Sequence, residues 1–553
     1  MRSDAEPSAS GLTLSDGEVI ERLQRALPRA WQGMIAAAAD GWFTLPHPSS
    51  AIDAWNTLWT ATARQPQRVL ATQIRLLAGW TRSAARLLVP GVPDPAATAG
   101  DRRFRAGAWR EHPGYAELCR HYRLWSEQML ALADAVTADC DAHTAAKARF
   151  YARQLVNALS PANSPAGNPE VVEQALRTGG RSWLHGSTRL LEDLAAGRGR
   201  LRISHADRSA YTLGRDLAAT PGQVVWENRL MQLIQYMPAG QEVRRRPILI
   251  LPPWINKYYV LDLSPQRSLV RWLVEQGHSV FLVSWVNPGA ELAGCDFDDY
   301  LTDGSLAAIE AVCKETGEDQ INAVGYCIGG TLLACTLAWL AGNRLDRVAS
   351  ATFLTTLLDF SDVGELSVFI DEQQIALLEG HMARHGFLDG CHLANAFNAL
   401  QENDLVWSYW VNNYLMGRPP RDFDLLVWNG DSTRMPARMH SRYLRECYLH
   451  NRLREPGAMV VAGTPLDLGA IRVPAVAVAT ERDHIAPWQS CYRSARLLGG
   501  STRFVLAGSG HVAGIVNPAG SGRYGYRTHA RMPAGPAAWM AGSRRSSGSW
   551  WPW

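Results

Sequence analysis

The spacing of apolar residues changes near residue 215. From residue 49 to residue 213, apolar positions recur with the period of amphipathic helices, interrupted by proline-rich stretches at 89–95 and 160–169. This pattern predicts a mainly helical N-terminal domain over residues 1–215.

An amphipathic stretch lies near the start of that domain. Val19, Leu23, Leu27 and Trp31 recur at helical spacing. The stretch is compatible with a helix that contacts an apolar surface or partner, and equally with a helix packed on its own domain.

Beyond residue 215 the apolar residues form short continuous runs separated by helical patterns. Such runs are typical of parallel strands covered by helices on both faces, so residues 216–553 are predicted to form an α/β domain. The interval 356–472 is too long for one crossover and is predicted to be a helical cap over the site, or else a subdomain without a gating role. The predicted strands are 247–251, 278–285, 321–324, 349–355, 475–479 and 503–506, with an edge pair at 223–226 and 230–236.

A G-x-C-x-G pattern follows the predicted strand 321–324. Gly325-Tyr-Cys327-Ile-Gly329 precedes an apolar helical run that begins at Thr331. Strand, sharp turn and helix are the setting of a nucleophile elbow, where glycines leave room for a strained residue. Cys327 is therefore the candidate nucleophile, and a helix N-terminus favours its thiolate. The alternative is an ordinary buried cysteine, which the two flanking glycines argue against.

An acid and a histidine follow two later strands. Asp483 comes after one buried strand and His511 after the next, in the chain order of α/β hydrolases. Since functional groups of open α/β sheets lie at the carboxyl ends of strands, we expect both to meet Cys327. His484 is the nearest rival base and is assigned a supporting role, and Glu481 is the rival acid.

An oxyanion hole requires two N–H donors. The first predicted donor is the backbone N–H of Ile328, directly after the nucleophile. The second is expected from the loop after an early strand, where Trp254 or Ile255 follows Pro252 and Pro253. If the prolines only end that strand, the loop has no reason to approach the nucleophile.

Composition narrows the class of protein. The 553 residues are 47% hydrophobic and 19% charged, as in soluble proteins with a sizeable core, and the net charge of +3 does not favour nucleic acid as a partner. Nine cysteines without a C-x-x-C pair and no apolar leader predict a cytoplasmic protein. The uncharged stretch 321–343 is long enough to span a bilayer, but its strand–turn–helix punctuation favours a buried elbow. No P-loop, dinucleotide loop or metal-ligand pattern is present, so neither metal nor cofactor is expected.

Segments spread over most of the chain match one known family. They include Pro252-Pro-Trp-Ile-Asn-Lys-Tyr-Tyr259, Gly325-Tyr-Cys-Ile-Gly-Gly330 and Asp483-His-Ile-Ala-Pro-Trp488. Further matches lie at 101–109, 159–163, 233–236, 284–288, 403–407, 409–414, 510–511 and 548–551. In these segments the chain resembles the polyhydroxyalkanoate synthases, acyltransferases that build polyesters from 3-hydroxyacyl-CoA.

The resemblance implies a set of roles. Cys327 would carry the acyl chain, with His511 as its base and Asp483 as the acidic partner. Tyr326 and Ile328 resemble the single-component, class I-like enzymes that prefer short 3-hydroxyacyl groups. The family also implies a homodimer on polymer granules in the cytoplasm, with the growing chain and the granule surface as partners. The C-terminal tail departs from the family, because residues 528–539 and 543–545 are basic or neutral where the relatives are acidic.

Cysteine chemistry suits repeated acyl transfer. Exchange between CoA and cysteine thioesters is nearly neutral in free energy, so the chain stays transferable. His511, Asp483 or both would activate the monomer's 3-hydroxyl. An alcohol is roughly seven pKa units less acidic than a thiol, so attack by the hydroxyl depends more on its base than attack by the thiol does. This difference favours a contribution of Asp483 to the activation of the 3-hydroxyl. The aromatic-rich part of the cap is the predicted barrier to water.

Two other functions remain compatible with the sequence. A thiol-type hydrolase of polyesters or lactones would share the three residues but would not need the helical domain. A non-catalytic granule-surface protein would explain apolar surfaces, but not a nucleophile, acid and base in order at three strand ends.

Overall fold

The computed structural model describes residues 15–39, 44–88 and 100–553, which form two compact units. Unit 1 comprises Met1–Asp207 and Asn395–Arg421, and unit 2 comprises Arg208–Ala394 and Asp422–Trp553. The segment Asn395–Arg421, placed in the cap by its sequence position, thus groups with the helical unit. Sequence periodicity shows that a segment is helical, but not which distant helices it packs against.

Unit 1 confirms the helical pattern of the N-terminal region. The first proline-rich break lies outside the described residues, and the second contains the 3₁₀ turn Pro161–Asn163. Asn168 then caps the next helix by accepting hydrogen bonds from the Glu170 and Val171 N–H groups. The helices are α1 (Asp16–Ala39), α2 (Pro48–Arg64), α3 (Pro66–Leu88), α4 (Ala108–Glu111), α5 (Pro113–Val136), α6 (Ala142–Ala158), α7 (Pro169–Arg177) and α8 (Arg181–Ala196).

Helix α1 is buried on its small residues and exposed on its large ones. It packs on α8, where Arg22 forms two hydrogen bonds of 2.7 Å with Glu192. The buried positions include Ala26 and Ala30. The helix thus packs on its own unit and also keeps an apolar stripe in solvent, while contact of that stripe with another surface or partner stays a prediction. That stripe consists of Ile20, Leu27, Trp31 and Ile35.

Unit 2 is built around a ten-stranded sheet in the order β1-β2-β4-β3-β5-β6-β7-β8-β9-β10. The six central strands are parallel to one another and follow the order β4, β3, β5, β6, β7 and β8. Two antiparallel strands extend the sheet on each side. The mostly parallel sheet confirms the predicted α/β class. The strands are β1 (Gly222–Glu227), β2 (Met231–Tyr236), β3 (Ile248–Leu251), β4 (Val280–Trp285), β5 (Ile321–Tyr326), β6 (Val348–Leu354), β7 (Ala475–Thr480), β8 (Thr502–Ala507), β9 (Tyr526–Thr528) and β10 (Arg544–Ser546).

The helices of unit 2 include one that follows the elbow directly. This helix, α12 (Ile328–Gly342), is buried over most of its length, which explains why its sequence is apolar on every face. In the described part of the chain, no helix is both long and apolar enough to cross a membrane. The remaining helices are α9 (Leu269–Glu275), α10 (Phe297–Asp299), α11 (Ala307–Thr316), α13 (Glu372–His385), α14 (Gly390–Leu400, which continues into unit 1), α15 (Asp424–Asn429), α16 (Ala437–Tyr443), α17 (Trp488–Ala495) and α18 (Pro536–Gly542).

The C-terminal tail packs through aromatic side chains. Trp539 of α18 is fully buried, and its ring lies 5.0 Å from Phe504 of β8 and 6.0 Å from Tyr492 of α17. The Tyr492 hydroxyl also donates to the Pro533 carbonyl at 2.6 Å. Apolar burial of this size stabilises the tail whatever the sign of its surface charge.

Candidate active site

Cys327 occupies a strained turn between β5 and α12. Its backbone has φ 53° and ψ −122°, a region that side chains rarely adopt, and its N–H donates to the Leu354 carbonyl at 2.8 Å. Helix α12 begins at the next residue, Ile328. Cys327 is partly exposed and lies at the N-terminal end of this helix.

The two glycines of the motif are required by close backbone approach. A Cβ at Gly325 would lie 2.5 Å from the Cα of Gly330. A Cβ at Gly329 would collide with the carbonyl oxygens of Leu251 and Pro252. The first turn of α12 therefore lies directly against the end of β3, and any larger residue at either position would push the elbow out of place.

Asp483 and His511 meet as the chain order predicts. They follow β7 and β8, whose last residues Thr480 and Ala507 lie side by side in the sheet. The Nδ1 atom of His511 lies 2.7 Å from Oδ2 of Asp483. His511 also lies close enough to Cys327 for the two groups to interact electrostatically, so the three predicted residues meet at one place.

The Asp483 carboxylate is fully engaged by its surroundings. Its side chain has 0% exposure, and Oδ1 accepts from the N–H groups of Ile485 (2.9 Å) and Ala486 (2.8 Å). Oδ2 contacts the Thr480 hydroxyl at 3.2 Å in addition to His511. Burial opposes ionisation, but the His511 charge and these hydrogen bonds hold the pKa of Asp483 below its usual value.

His511 is held in a charged environment. Burial lowers its pKa, but the charges of Asp483 and of a Cys327 thiolate, with hydrogen bonds to both, raise the pKa to about 10. The Tyr326 hydroxyl donates to the His511 carbonyl at 3.1 Å, and the two rings stack at 5.7 Å. The imidazole of His511 is thus held between Asp483 and Cys327.

The rival residues occupy different positions. Glu481 is exposed and faces Arg527, with 3.5 Å between the charged atoms, so it is not the acid beside His511. His484 is half-buried, and burial lowers its pKa. It lies close enough to Asp483 and His511 to interact with their charges, yet its ring forms no hydrogen bond with another described residue.

The loop after β3 is clamped near the elbow by the segment that follows Asp422. Thr433 donates its hydroxyl to the Trp254 carbonyl and its N–H to the Ile255 carbonyl, the latter at 2.9 Å. The Trp428 indole donates to the Lys257 carbonyl at 2.8 Å. The loop carbonyls are thus occupied, while the N–H groups of Trp254 and Ile255 donate to no other described residue.

Comparison with known proteins assigns a family to this architecture. A family model described as "Poly-beta-hydroxybutyrate polymerase (PhaC) N-terminus" matches residues 100–273, and one described as "alpha/beta hydrolase fold" matches residues 246–518. The poly(3-hydroxyalkanoate) polymerase of Methylorubrum extorquens is 46% identical over 506 residues, which cover 89% of this chain and 82% of the relative. The chain belongs to the poly(3-hydroxyalkanoate) polymerase family. Two polymerase subunits named PhaC agree: that of Rhizobium meliloti is 43% identical over 88% of this chain and 80% of its own, and that of Cupriavidus necator is 46% identical over 82% and 77%.

The sequence patterns did not single out one cluster of aromatic side chains in unit 2. The rings of Tyr443 and Tyr448 lie 5.5 Å apart, and Phe360 lies 4.9 Å from Tyr448. Burial and the charge of a Cys327 thiolate both raise the pKa values of the two tyrosines. Tyr448 belongs to a π-helical turn, Leu444–Leu449, a distortion frequent at functional sites but without a sequence signature.

Within the described residues, no group of three or more His, Cys, Asp or Glu side chains is arranged to hold a metal ion. Cys335 and Cys447 lie in the core, where burial raises the pKa of both thiols. Neither thiol lies at a helix N-terminus, as Cys327 does.

Proposed function

We propose that this chain polymerises short 3-hydroxyacyl-CoA, such as 3-hydroxybutyryl-CoA, through a thioester on Cys327, with release of CoA. The observation that carries the proposal is the connected series Cys327–His511–Asp483 at the elbow of a chain of this family. The naming of poly-beta-hydroxybutyrate in the matching family description supports a short-chain substrate. The identities of Tyr326 and Ile328 beside the nucleophile support it as well.

In the loading step, the Cys327 thiolate attacks the thioester carbonyl of the hydroxyacyl-CoA. The sulfur–carbonyl bond to CoA breaks, and the departing CoA thiolate takes the proton held on His511. The developing oxyanion requires donors that are already in place. The Ile328 N–H at the start of α12 supplies one, and the Ile255 N–H, on the loop clamped by Thr433, supplies the other.

In the elongation step, the 3-hydroxyl of a further monomer attacks the chain-bearing thioester. His511 takes the hydroxyl proton, an ester bond forms, and the Cys327 sulfur leaves the carbonyl. Asp483 has no part in direct proton transfer, because its oxygens already accept from four groups. It holds Nδ1 of His511 protonated, which leaves Nε2 to serve as the base in both steps.

The proposal predicts polymer and CoA in step with each other. Purified protein is incubated with labelled 3-hydroxybutyryl-CoA, and CoA, insoluble polymer and free 3-hydroxybutyrate are measured together. Cys327→Ala is the matched control, and 3-hydroxyoctanoyl-CoA tests chain-length preference. Free acid without polymer would identify a hydrolase instead, and equal polymerisation of both substrates would refute the short-chain preference.

We further propose that the protein works in the cytoplasm as a homodimer on polymer granules, with unit 1 in contact with the polyester. Support for granule contact comes from apolar stripes on its first three helices, where Trp31 and Trp59 are 63% and 78% exposed. The other exposed large apolar residues of α2 and α3 are Ile52, Trp55, Leu70, Ile74, Leu77 and Trp80.

Sedimentation with polyhydroxybutyrate granules tests this association. The double variant Trp31→Glu/Trp59→Glu is expected to remain in the supernatant, because each change places a charge on the apolar stripe. Leu345→Glu, which alters an exposed leucine of unit 2, is the control and should sediment like the wild type. Equal sedimentation of the double variant would exclude the stripe as the contact. Light scattering without granules tests the dimer, and a monomer at all concentrations would contradict it.

A further inference from the structure

The residues Ser549–Trp551 contact the chain segment that directly follows His511. The Ser549 hydroxyl donates to the Asn517 carbonyl at 2.5 Å. The Trp550 indole N–H donates to the Gly514 carbonyl at 3.1 Å, and the Trp551 indole N–H donates to the Ile515 carbonyl at 2.8 Å. Three successive residues near the C-terminal end thus bind three backbone carbonyls within seven residues of His511.

Two of the acceptors, Gly514 and Ile515, belong to the turn that carries His511. Within it, the Gly514 N–H donates to the Gly510 carbonyl at 2.9 Å, and the Ile515 N–H donates to the Val512 carbonyl at 3.0 Å. The turn ends after about one winding, so its last carbonyls have no partner within it, as at the end of a helix. The two indoles supply those partners, and they do so with rigid side chains.

The turn has little room to move without disturbing the site. A Cβ at Gly514 would lie 2.5 Å from the Gly508 carbonyl oxygen and 2.6 Å from Cγ2 of Thr480. Thr480 is the residue whose hydroxyl contacts Asp483. A shift of the turn at Gly514 therefore reaches both His511, three residues earlier, and the group that orients the acid.

The indoles are themselves held in place. The Trp551 ring is 6% exposed and lies 5.8 Å from the ring of Trp272 in α9. The backbone N–H of Trp551 donates to the Ser549 hydroxyl at 3.1 Å. Trp553 differs from both: it is exposed and lies over Arg503 at 4.0 Å, and its indole N–H donates to no described residue.

We propose that Trp550 and Trp551 are positioning residues, whose indole N–H groups fix the turn of His511 and thereby its distance to Cys327. The inference rests on the proposed cysteine–histidine chemistry. Their contribution is geometric, because both indole N–H groups donate to carbonyls of the turn and not to the side chains of Cys327, Asp483 or His511. The Trp-Trp pair thus acquires a role in acyl loading that its sequence position, about 40 residues after His511, does not suggest.

The test replaces each indole by a ring without the N–H. Trp550→Phe, Trp551→Phe and the double variant are compared with Trp553→Phe in single-turnover loading of labelled 3-hydroxybutyryl-CoA, well below the melting temperature of each protein. We expect about tenfold slower loading in the double variant, less than the roughly hundredfold that a displacement of about 1 Å can cost. The pH profile of Cys327 alkylation should shift as well, while Trp553→Phe should load normally.

A purely structural tail gives a different result. In that case the double variant melts at a lower temperature, but loading per folded molecule and the alkylation profile match the wild type, which overturns the inference. Trp550 is only half-buried, so Trp550→Phe remains informative even if the double variant does not fold. Loss of loading in Cys327→Ala with normal loading in the indole variants overturns this inference alone. Normal loading in Cys327→Ala overturns the proposed chemistry and the inference with it.

Discussion

Replacing Asp483 by asparagine tests whether this residue acts only through His511. A carboxylate offers about four lone-pair positions, and the Asp483 oxygens already accept from Ile485, Ala486, Thr480 and His511. No position is left for the 3-hydroxyl of an incoming monomer. We therefore expect Asp483→Asn to slow loading and elongation by similar factors, since one histidine serves both steps.

The size of the effect follows from the hydrogen bonds that change. Asparagine can keep the two backbone contacts through its oxygen, but its amide then presents N–H donors to Nδ1 of His511. The ring is driven to the tautomer with its proton on Nε2, which cannot accept a proton from Cys327. A hydrogen bond to a charged group contributes about 1.5–3 kcal/mol, and about 1.36 kcal/mol is a factor of ten in rate. The lost contact alone corresponds to roughly 10- to 160-fold slower reaction.

The assay compares two measurements on one preparation. Rapid quenching after mixing with labelled 3-hydroxybutyryl-CoA gives the loading rate, and CoA release with polymer length gives the elongation rate. Glu481→Gln is the matched control, because this neighbouring acid faces Arg527 and should leave both rates unchanged. Normal loading with stalled short chains would refute the orienting role. That result would instead support a direct contribution of Asp483 to activation of the 3-hydroxyl, the role that the weak acidity of an alcohol favours.

Three further expectations concern the same site. Cys327→Ala should abolish labelling and CoA release without loss of fold, and Cys327→Ser should be far slower because an alkoxide is harder to form; label on the alanine variant would contradict this. His511→Ala should reduce the initial rate of CoA release more than His484→Ala does, since of these two histidines only His511 forms a hydrogen bond with Asp483. The reverse ranking would assign the role of base to His484. Because folding raises the pKa of His511 to about 10, protonation of this residue stabilises the fold. The full contribution is present below a pH of about 6.5, the ordinary pKa of histidine, and it is lost as the pH rises toward about 10. The wild-type melting temperature should therefore fall between these pH values more than that of His511→Ala, and parallel curves would exclude the linkage.

The local pattern of the sequence was sufficient for the sheet and the elbow. Parallel strands buried on both faces are continuous apolar runs, and all six predicted runs became the parallel strands β3 to β8. A nucleophile elbow needs glycines within a few residues of Cys327, so its signal is contained in one short motif. Asp483 and His511 could be placed because the carboxyl ends of parallel strands share one edge of the sheet.

Features that join distant segments became visible only in the tertiary structure. Periodicity cannot show that Asn395–Arg421 groups with the helices before Asp207, because packing partners leave no mark on spacing. The same holds for Thr433, which clamps a loop about 180 residues earlier, and for Trp551, which caps the turn of His511. The sequence pointed to the candidate reacting groups because their chemistry depends on residue type and local order. Their support depends on hydrogen bonds between residues far apart in the chain, and those contacts are settled by the whole fold.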